Sequence, residues 1–263
     1  MPAAGAAPEQ LHVLRTEPPA GAPLLLLIHG AGGDHTVWGH QIQALRRHAG
    51  LVLPDLPGHG RSAGPARGDV ASMAQSLAAL AGGSGGRPFF VGGHSMGGAI
   101  ALQLALDRPG RFAGIALIGA AARLAVSQRV LQAIADDASS AVTMLTRLAY
   151  ADGTSPEVIE AGRQYLSRCD PQTLLADFTA CSRFDVRDRL DDLPQPVLCV
   201  TGGADRLVLP AAIEATIALL RRGAAEVVPG AGHLVMIERP DEVNRILAGW
   251  IASVTGGSSS PAP

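Results

Sequence analysis

The sequence predicts an α/β fold, a mostly parallel, doubly wound sheet with a helical insertion, and three observations lead there. Short apolar runs bounded by Gly or Pro alternate with longer stretches of helical periodicity. The apolar runs are nearly continuous in hydrophobicity, as strands buried on both faces are. Residues 121–194 break the alternation with helical patterns alone. Strand, helix, strand in repeated order builds a parallel sheet with helices on both sides.

Seven strands are expected, at LHVLRT (11–16), PLLLLIH (23–29), GLVLPD (50–55), PFFVGG (88–93), FAGIALIG (112–119), PVLCVTG (196–202) and AAEVVPG (224–230). Helices fall between them at 36–48, 69–81, 95–107, 210–222 and 240–254. The segment 121–194 contains four amphipathic stretches, QRVLQAIADD, AVTMLTRLAY, PEVIEAGRQYL and QTLLADFTACSRF, with no strand among them. The domain reading is therefore a core of 11–120 and 195–254, a helical cap of 121–194, and flexible tails at 1–10 and 256–263, which are rich in Ala, Gly, Pro and Ser.

Composition narrows the possible functions. A chain of 263 residues with 47% hydrophobic content can bury one large core. The formal net charge is −2 and no basic run exceeds two residues, so a nucleic-acid or anionic-membrane partner is not expected. The apolar run 24–28 is too short for a signal-peptide core or a membrane span. All 21 basic residues are arginine, which rules out Schiff-base lysines, Ser-Lys dyads and the phosphate-binding Walker lysine. Cys169, Cys181 and Cys199 form no metal spacing, and their odd number argues against a disulfide framework. A cytoplasmic protein with no metal fits best; the oligomeric state is not legible.

The pattern Gly-x-Ser-x-Gly occurs twice, around Ser84 and around Ser95. Ser84 lies in a glycine run ahead of a strand, the setting of a flexible connection. Ser95 follows the strand PFFVGG and opens the helix SMGGAIALQLALDR, the strand-turn-helix context of a nucleophile elbow. Such a turn holds the serine in a strained backbone region and closes only if its flanks lack side chains, hence Gly93 and Gly97. A serine that merely caps the helix remains the other reading of the elbow alone.

A serine nucleophile needs a histidine to take its proton and a carboxylate to orient that histidine. Both belong on loops at the C-terminal ends of later strands. There lie Asp205, in TGGADRLVLP, and His233, in PGAGHLVMIERP, and the order Ser95, Asp205, His233 is that of a hydrolase triad on this type of sheet. The three are expected to converge within hydrogen-bonding range. His12 is read as lying in the first strand, ahead of the sheet core, His35, His40 and His48 as solvated or packed, His94 as pointing away from Ser95, His29 as a loop residue, and Asp55, His59 and Arg61 in DLPGHGRS as structural. Asp185, Asp188, Asp191 and Asp192 are read as charged surface. The run His29-Gly30-Ala31-Gly32-Gly33 after the second strand lets the Ala31 N–H join that of Met96 as an oxyanion hole.

Together HGAGGDHTVW, DLPGHGRS, GHSMGG and the pair TGGAD and GAGH resemble the α/β-hydrolase superfamily over roughly residues 11–254, least so over the insertion. The resemblance implies an eight-stranded type of sheet, no cofactor, and hydrolysis through an acyl-enzyme, with GHSMGG most similar to esterase and lipase-like members. Serine stands where epoxide hydrolases and haloalkane dehalogenases carry aspartate. His94 and Leu234 stand where meta-cleavage C–C hydrolases usually have asparagine and tryptophan, and Ala31 where cofactor-free haloperoxidases typically show an aromatic residue.

The expected activity is hydrolysis of small to medium carboxylic esters. Lactone or C–C bond hydrolysis by the same residues is an alternative, and so is a slow, ligand-binding member of the fold. Leu124, Met144, Leu145, Leu148, Phe178, Phe184 and Leu234 either line an acyl pocket or pack the cap onto the core, and Cys181 faces one or the other. With 3% aromatic residues, strong stacking recognition of large aromatic groups is not expected.

Overall fold

The structure is a computed structural model and describes residues 11–256. Apart from Gly256, the two expected tails lie outside the described residues. In chain order the elements are β1 (Val13–Arg15), β2 (Leu24–Ile28), α1 (Gly39–Leu45), β3 (Gly50–Pro54), α2 (Val70–Ser76), β4 (Phe89–His94), α3 (Met96–Asp107) and β5 (Gly114–Ile118). Four helices follow, α4 (Gln128–Asp136), α5 (Ala138–Ala149), α6 (Pro156–Leu166) and α7 (Pro171–Arg183). The chain then returns to the sheet with β6 (Val197–Gly202), α8 (Pro210–Ile217), β7 (Gly223–Val228), α9 (Val235–Glu238) and α10 (Pro240–Thr255).

The seven strands form one sheet in the order β1-β3-β2-β4-β5-β6-β7, parallel except for β1, which runs antiparallel to β3. Each expected strand is present, and no eighth occurs among the described residues. The continuous hydrophobicity of the inner strands has a direct cause. Leu26 and Ile28 of β2 pack with α2 and α3 on one face, while Leu25 and Leu27 pack with α1, α9 and α10 on the other. β7 departs from the expectation of burial on both faces: it is the sheet edge, and Ala224 to Val227 are exposed.

Helix boundaries follow local chemistry. Asp69 caps α2 by accepting from Ser72 N–H, and Ser155 and Asp170 cap α6 and α7 ahead of proline at the first turn. α2 and α8 are shorter than the periodicity implies because each tightens at its end, with Leu77, Ala78 and Leu80, and Leu219 and Leu220, donating to the carbonyl three residues back. The helix expected at 36–48 begins as a 3-10 turn (His35–Trp38) capped by Asp34. α9, inside a stretch read as loop, was not foreseen.

The insertion between β5 and β6 has a small core of its own, built from Ile134, Ala141, Val142, Leu145 and Leu174. At the centre of the sheet Phe90 of β4 is fully buried, with its ring edge-on to Trp250 of α10 at 5.3 Å. Phe90→Ala is expected to lower the free energy of unfolding by about 3–5 kcal/mol, measured by urea denaturation.

Candidate active site

The turn from β4 to α3 holds Ser95 at φ +53° and ψ −117°, the one non-glycine residue with positive φ among the described residues. Its flanks explain their own identity. A Cβ on Gly93 would lie 2.3 Å from the Gly97 carbonyl, and one on Gly97 would lie 2.1 Å from the Ile28 carbonyl oxygen of β2. The Ser95 side chain makes no capping hydrogen bond to α3, which disposes of the capping reading. Its backbone N–H is tied to Ile118 O (2.9 Å), fixing the turn to β5.

Beyond β6, Asp205 is buried, and its Oδ1 accepts from the Leu207 and Val208 N–H groups at 2.8 and 2.9 Å. Its Oδ2 lies 2.8 Å from His233 Nδ1. Burial pushes the Asp205 pKa up, but the His233 ring and the backbone donors outweigh it and leave the carboxyl below its ordinary value. An ionised carboxylate only accepts, so His233 Nδ1 carries the hydrogen and Nε2 is the basic nitrogen. His233 and Ser95 line the same cavity, although no direct hydrogen bond joins them; such bonds often tighten only with substrate bound.

His94 does not point away, as the sequence implied. Its ring lines the cavity, lies 4.6 Å from that of His233, and donates from Nε2 to the His233 carbonyl at 3.0 Å. The elbow leaves no room for a side chain at its glycines, so the residue before the serine fills the space between Gly30 and the His233 loop. Burial and the neighbouring His233 hold its pKa down at about 3.

Ala31 lines the cavity wall. In its loop, Gly33 N–H is bound to Gly30 O and Gly32 N–H to Asp177, whereas Ala31 N–H makes no hydrogen bond within the described residues. Met96 sits at the first position of α3, where an N–H has no partner inside the helix, while its side chain is buried in the core.

The cavity has a volume of about 470 Å³. Of the residues proposed to line it, Leu124, Leu145, Phe178 and Leu234 do so, and Cys181 faces both it and the core. Met144 and Leu148 do not: they lie on the outer flank of α5 with Ser140, Thr143 and Arg147, turned away from the cavity that Leu145 lines, and Met144 is 36% exposed. Phe184 is packed in the main core. Both tyrosines, Tyr150 and Tyr165, join Phe178 in the wall.

The loops around the cavity are tied down by pairs that sequence reasoning missed. Glu238 accepts from Gly232 N–H (2.8 Å) and Ala151 N–H (3.0 Å), and His233 N–H donates to Ala149 O (2.7 Å). Arg206, next to Asp205, donates to the Tyr150 carbonyl (2.7 Å) at the end of α5. His29 donates from Nδ1 to Gly30 O and accepts from Leu56 N–H, with its pKa lowered to about 4 chiefly by burial. His12, His35 and Asp55 gather their ligand-type atoms within 4.8 Å of one another, but Asp55 already accepts from the His35 and Arg61 N–H groups and contacts the His35 ring at 2.7 Å. That cluster is a hydrogen-bond hub for the loop after β3.

The alpha/beta hydrolase family profile matches residues 25–246. The acetyltransferase component of an acetoin-cleaving system (dihydrolipoyllysine-residue) from Pseudomonas putida is 31% identical over 88% of this chain, which spans 64% of that protein's length. The pimeloyl-[acyl-carrier protein] methyl ester esterase of Stenotrophomonas maltophilia is 29% identical over 89% of this chain and 94% of its own. The solved structure of a thermophilic esterase from Thermogutta terrifontis superposes with a TM-score of 0.83 at 28% identity, covering 93% of both chains. The chain belongs to the alpha/beta hydrolase family. No helix among the described residues is long and apolar enough to cross a membrane.

Asp55 is held below the ordinary carboxylate range: burial opposes this, but the Arg61 and His35 donors outweigh it. Its contribution to stability is therefore present above its unfolded pKa and lost as pH falls through the lower folded value. Asp55→Asn is expected to reduce the drop in denaturation midpoint between about pH 6 and about pH 3, followed by urea titration at each pH.

Proposed function

We propose that the protein is a serine hydrolase that cleaves carboxylic esters with uncharged, small to medium acyl groups. One observation supports this most: the buried Asp205–His233 pair opens onto the cavity that Ser95 reaches from a strained turn. In this reading His233 Nε2 takes the Ser95 proton as Oγ attacks the ester carbonyl carbon. The Ala31 and Met96 N–H groups receive the oxyanion, favoured further by the positive end of α3. His233 passes the proton to the departing alkoxide, leaving an acyl-enzyme. Water then loses a proton to His233 and attacks the acyl carbonyl; the acid leaves, and the proton returns to Ser95 Oγ.

The acyl preference rests on the cavity lining. Leu124, Val126, Val130, Leu145, Phe178 and Val208 dominate it, and among the described residues no Arg, Asp or Glu side chain lines it. A carboxylate or phosphate carried on the acyl chain would lose its hydration there without a counter-charge.

Ser95→Ala is expected to lower kcat for p-nitrophenyl butyrate by at least about 10³-fold, and Asp205→Asn by about 10⁴-fold, in steady-state assays. Retention of more than a few per cent of wild-type rate by Ser95→Ala would end this reading. Across a p-nitrophenyl ester series the rate should rise with neutral chain length to an optimum and fall when the chain ends in a carboxylate. The same panel extended to enol-lactones and vinylogous diketones separates ester from lactone and C–C bond hydrolysis.

A further inference from the structure

Asp177 of α7 is fully buried beneath the loop that carries Ala31. Its Oδ2 accepts from Gly32 N–H at 2.8 Å and lies 2.8 Å from His59 Nε2. The other ring nitrogen, His59 Nδ1, is 3.0 Å from the Pro57 carbonyl oxygen. A carbonyl only accepts, so Nδ1 carries a hydrogen, and Nε2 faces the Asp177 carboxyl in a buried side-chain pair. Burial opposes a charge on the ring, yet the bond and charge of Asp177 outweigh it and raise the His59 pKa. Around the His59 ring stand Asp177 from the insertion, Asp55 from the loop after β3, and the His29 ring at 5.1 Å.

Gly32 itself has φ +68°, and a Cβ on it would run into Leu166 and Leu174 of the insertion at 2.5 and 2.9 Å. Two residues on, the Tyr165 hydroxyl of α6 accepts from Asp34 N–H (2.6 Å) and donates to Asp34 O (3.0 Å). The segment 31–34 is therefore held from above by two helices of the insertion, and Ala31, whose N–H is free, sits beside the bonded Gly32. Asp177 Oδ1 is buried with no hydrogen-bond partner. Packing alone would favour an apolar residue at such a site, so a buried polar side chain there calls for a role beyond packing, as the acceptor for Gly32 N–H.

We infer that Asp177, paired with His59 and bonded to Gly32 N–H, is a positioning residue that holds the Ala31 N–H where the oxyanion forms. This rests on the serine-hydrolase reading above. A glycine-rich loop has no ladder of its own to fix a donor, and displacement of about 1 Å costs about 10²-fold in rate. The insertion thus completes the oxyanion site from α7 as well as walling the cavity.

The test uses the full chain, p-nitrophenyl butyrate as substrate, and an aryl trifluoromethyl ketone as a mimic of the tetrahedral oxyanion. Asp177→Ala is expected to lower kcat by about 10–100-fold with KM changed less than about threefold, and to weaken ketone binding in parallel. Asp177→Asn keeps an acceptor for Gly32 N–H and should recover kcat to within about threefold of wild type. Should Asp177→Ala fail to fold, Tyr165→Phe, which releases Asp34 at the other end of the segment, decides on the same readouts with a loss of about 3–10-fold. Full kcat in the folded variant, or a loss of kcat with ketone affinity unchanged, would overturn the inference. If Ser95→Ala is inactive while Asp177→Ala is at full rate, only the positioning role falls; if Ser95→Ala is active, the hydrolase reading falls first.

Discussion

The constraint on which the site depends is a backbone-to-backbone contact. The first turn of α3 presses against the carbonyl end of β2 so closely that a methyl group at Gly97 would lie 2.1 Å from the Ile28 oxygen. With helix and strand that near, the chain can leave β4 for α3 only through a sharp turn, and Ser95 takes up the positive φ. The same contact sets Ser95 on the cavity wall and leaves the Met96 and Gly97 N–H groups, at the first two positions of α3, without a backbone partner among the described residues. Strain in the turn is thus offset by the sheet packing beneath it, where Leu25, Leu26, Leu27 and Ile28 are all inaccessible to solvent.

Around this rigid elbow the remaining site groups sit on loops, and the helical insertion fixes each of them. Arg206 ties the Asp205 loop to the last carbonyls of α5, where a cation also complements the helix dipole. Ala149 O receives the His233 N–H, and Glu238 bridges Gly232 to Ala151. The segment after Ala31 is gripped by Tyr165 and Asp177. The insertion buries little of its own core, chiefly five side chains, so its helices depend on these polar anchors and on the main domain for their placement.

The parts of the fold and site that were legible in the sequence are those whose cause is local. Strands bounded by Gly and Pro, the elbow around Ser95 and the loop order of Asp205 and His233 each follow from residues within a few positions of one another. What stayed hidden depends on distant partners: Asp177 meets Gly32 across 145 residues and His59 across 118, and Tyr165 meets Asp34 across 131. His94 was misread because its direction is set by the space left between Gly30 and the His233 loop, which no local pattern encodes. Met144 and Leu148 were misplaced for another reason. Both faces of α5 carry apolar residues, and periodicity alone does not say which face turns inward.

Three histidines, His40, His94 and His233, line the cavity, and their surroundings fit them to different parts. His40 is exposed and pairs with no carboxylate. His94 has its Nε2 committed to a carbonyl, and burial first, then the neighbouring His233, hold its pKa down at about 3, so its ring stays neutral. His233 alone has a buried carboxylate on one nitrogen, so a charge gained on the other is stabilised as it forms. His59 makes the same kind of pair, its Nε2 against Asp177, but there the pair binds a loop instead of turning over. The difference lies in the second ring nitrogen, which a backbone carbonyl occupies in His59 and which the cavity leaves to substrate in His233.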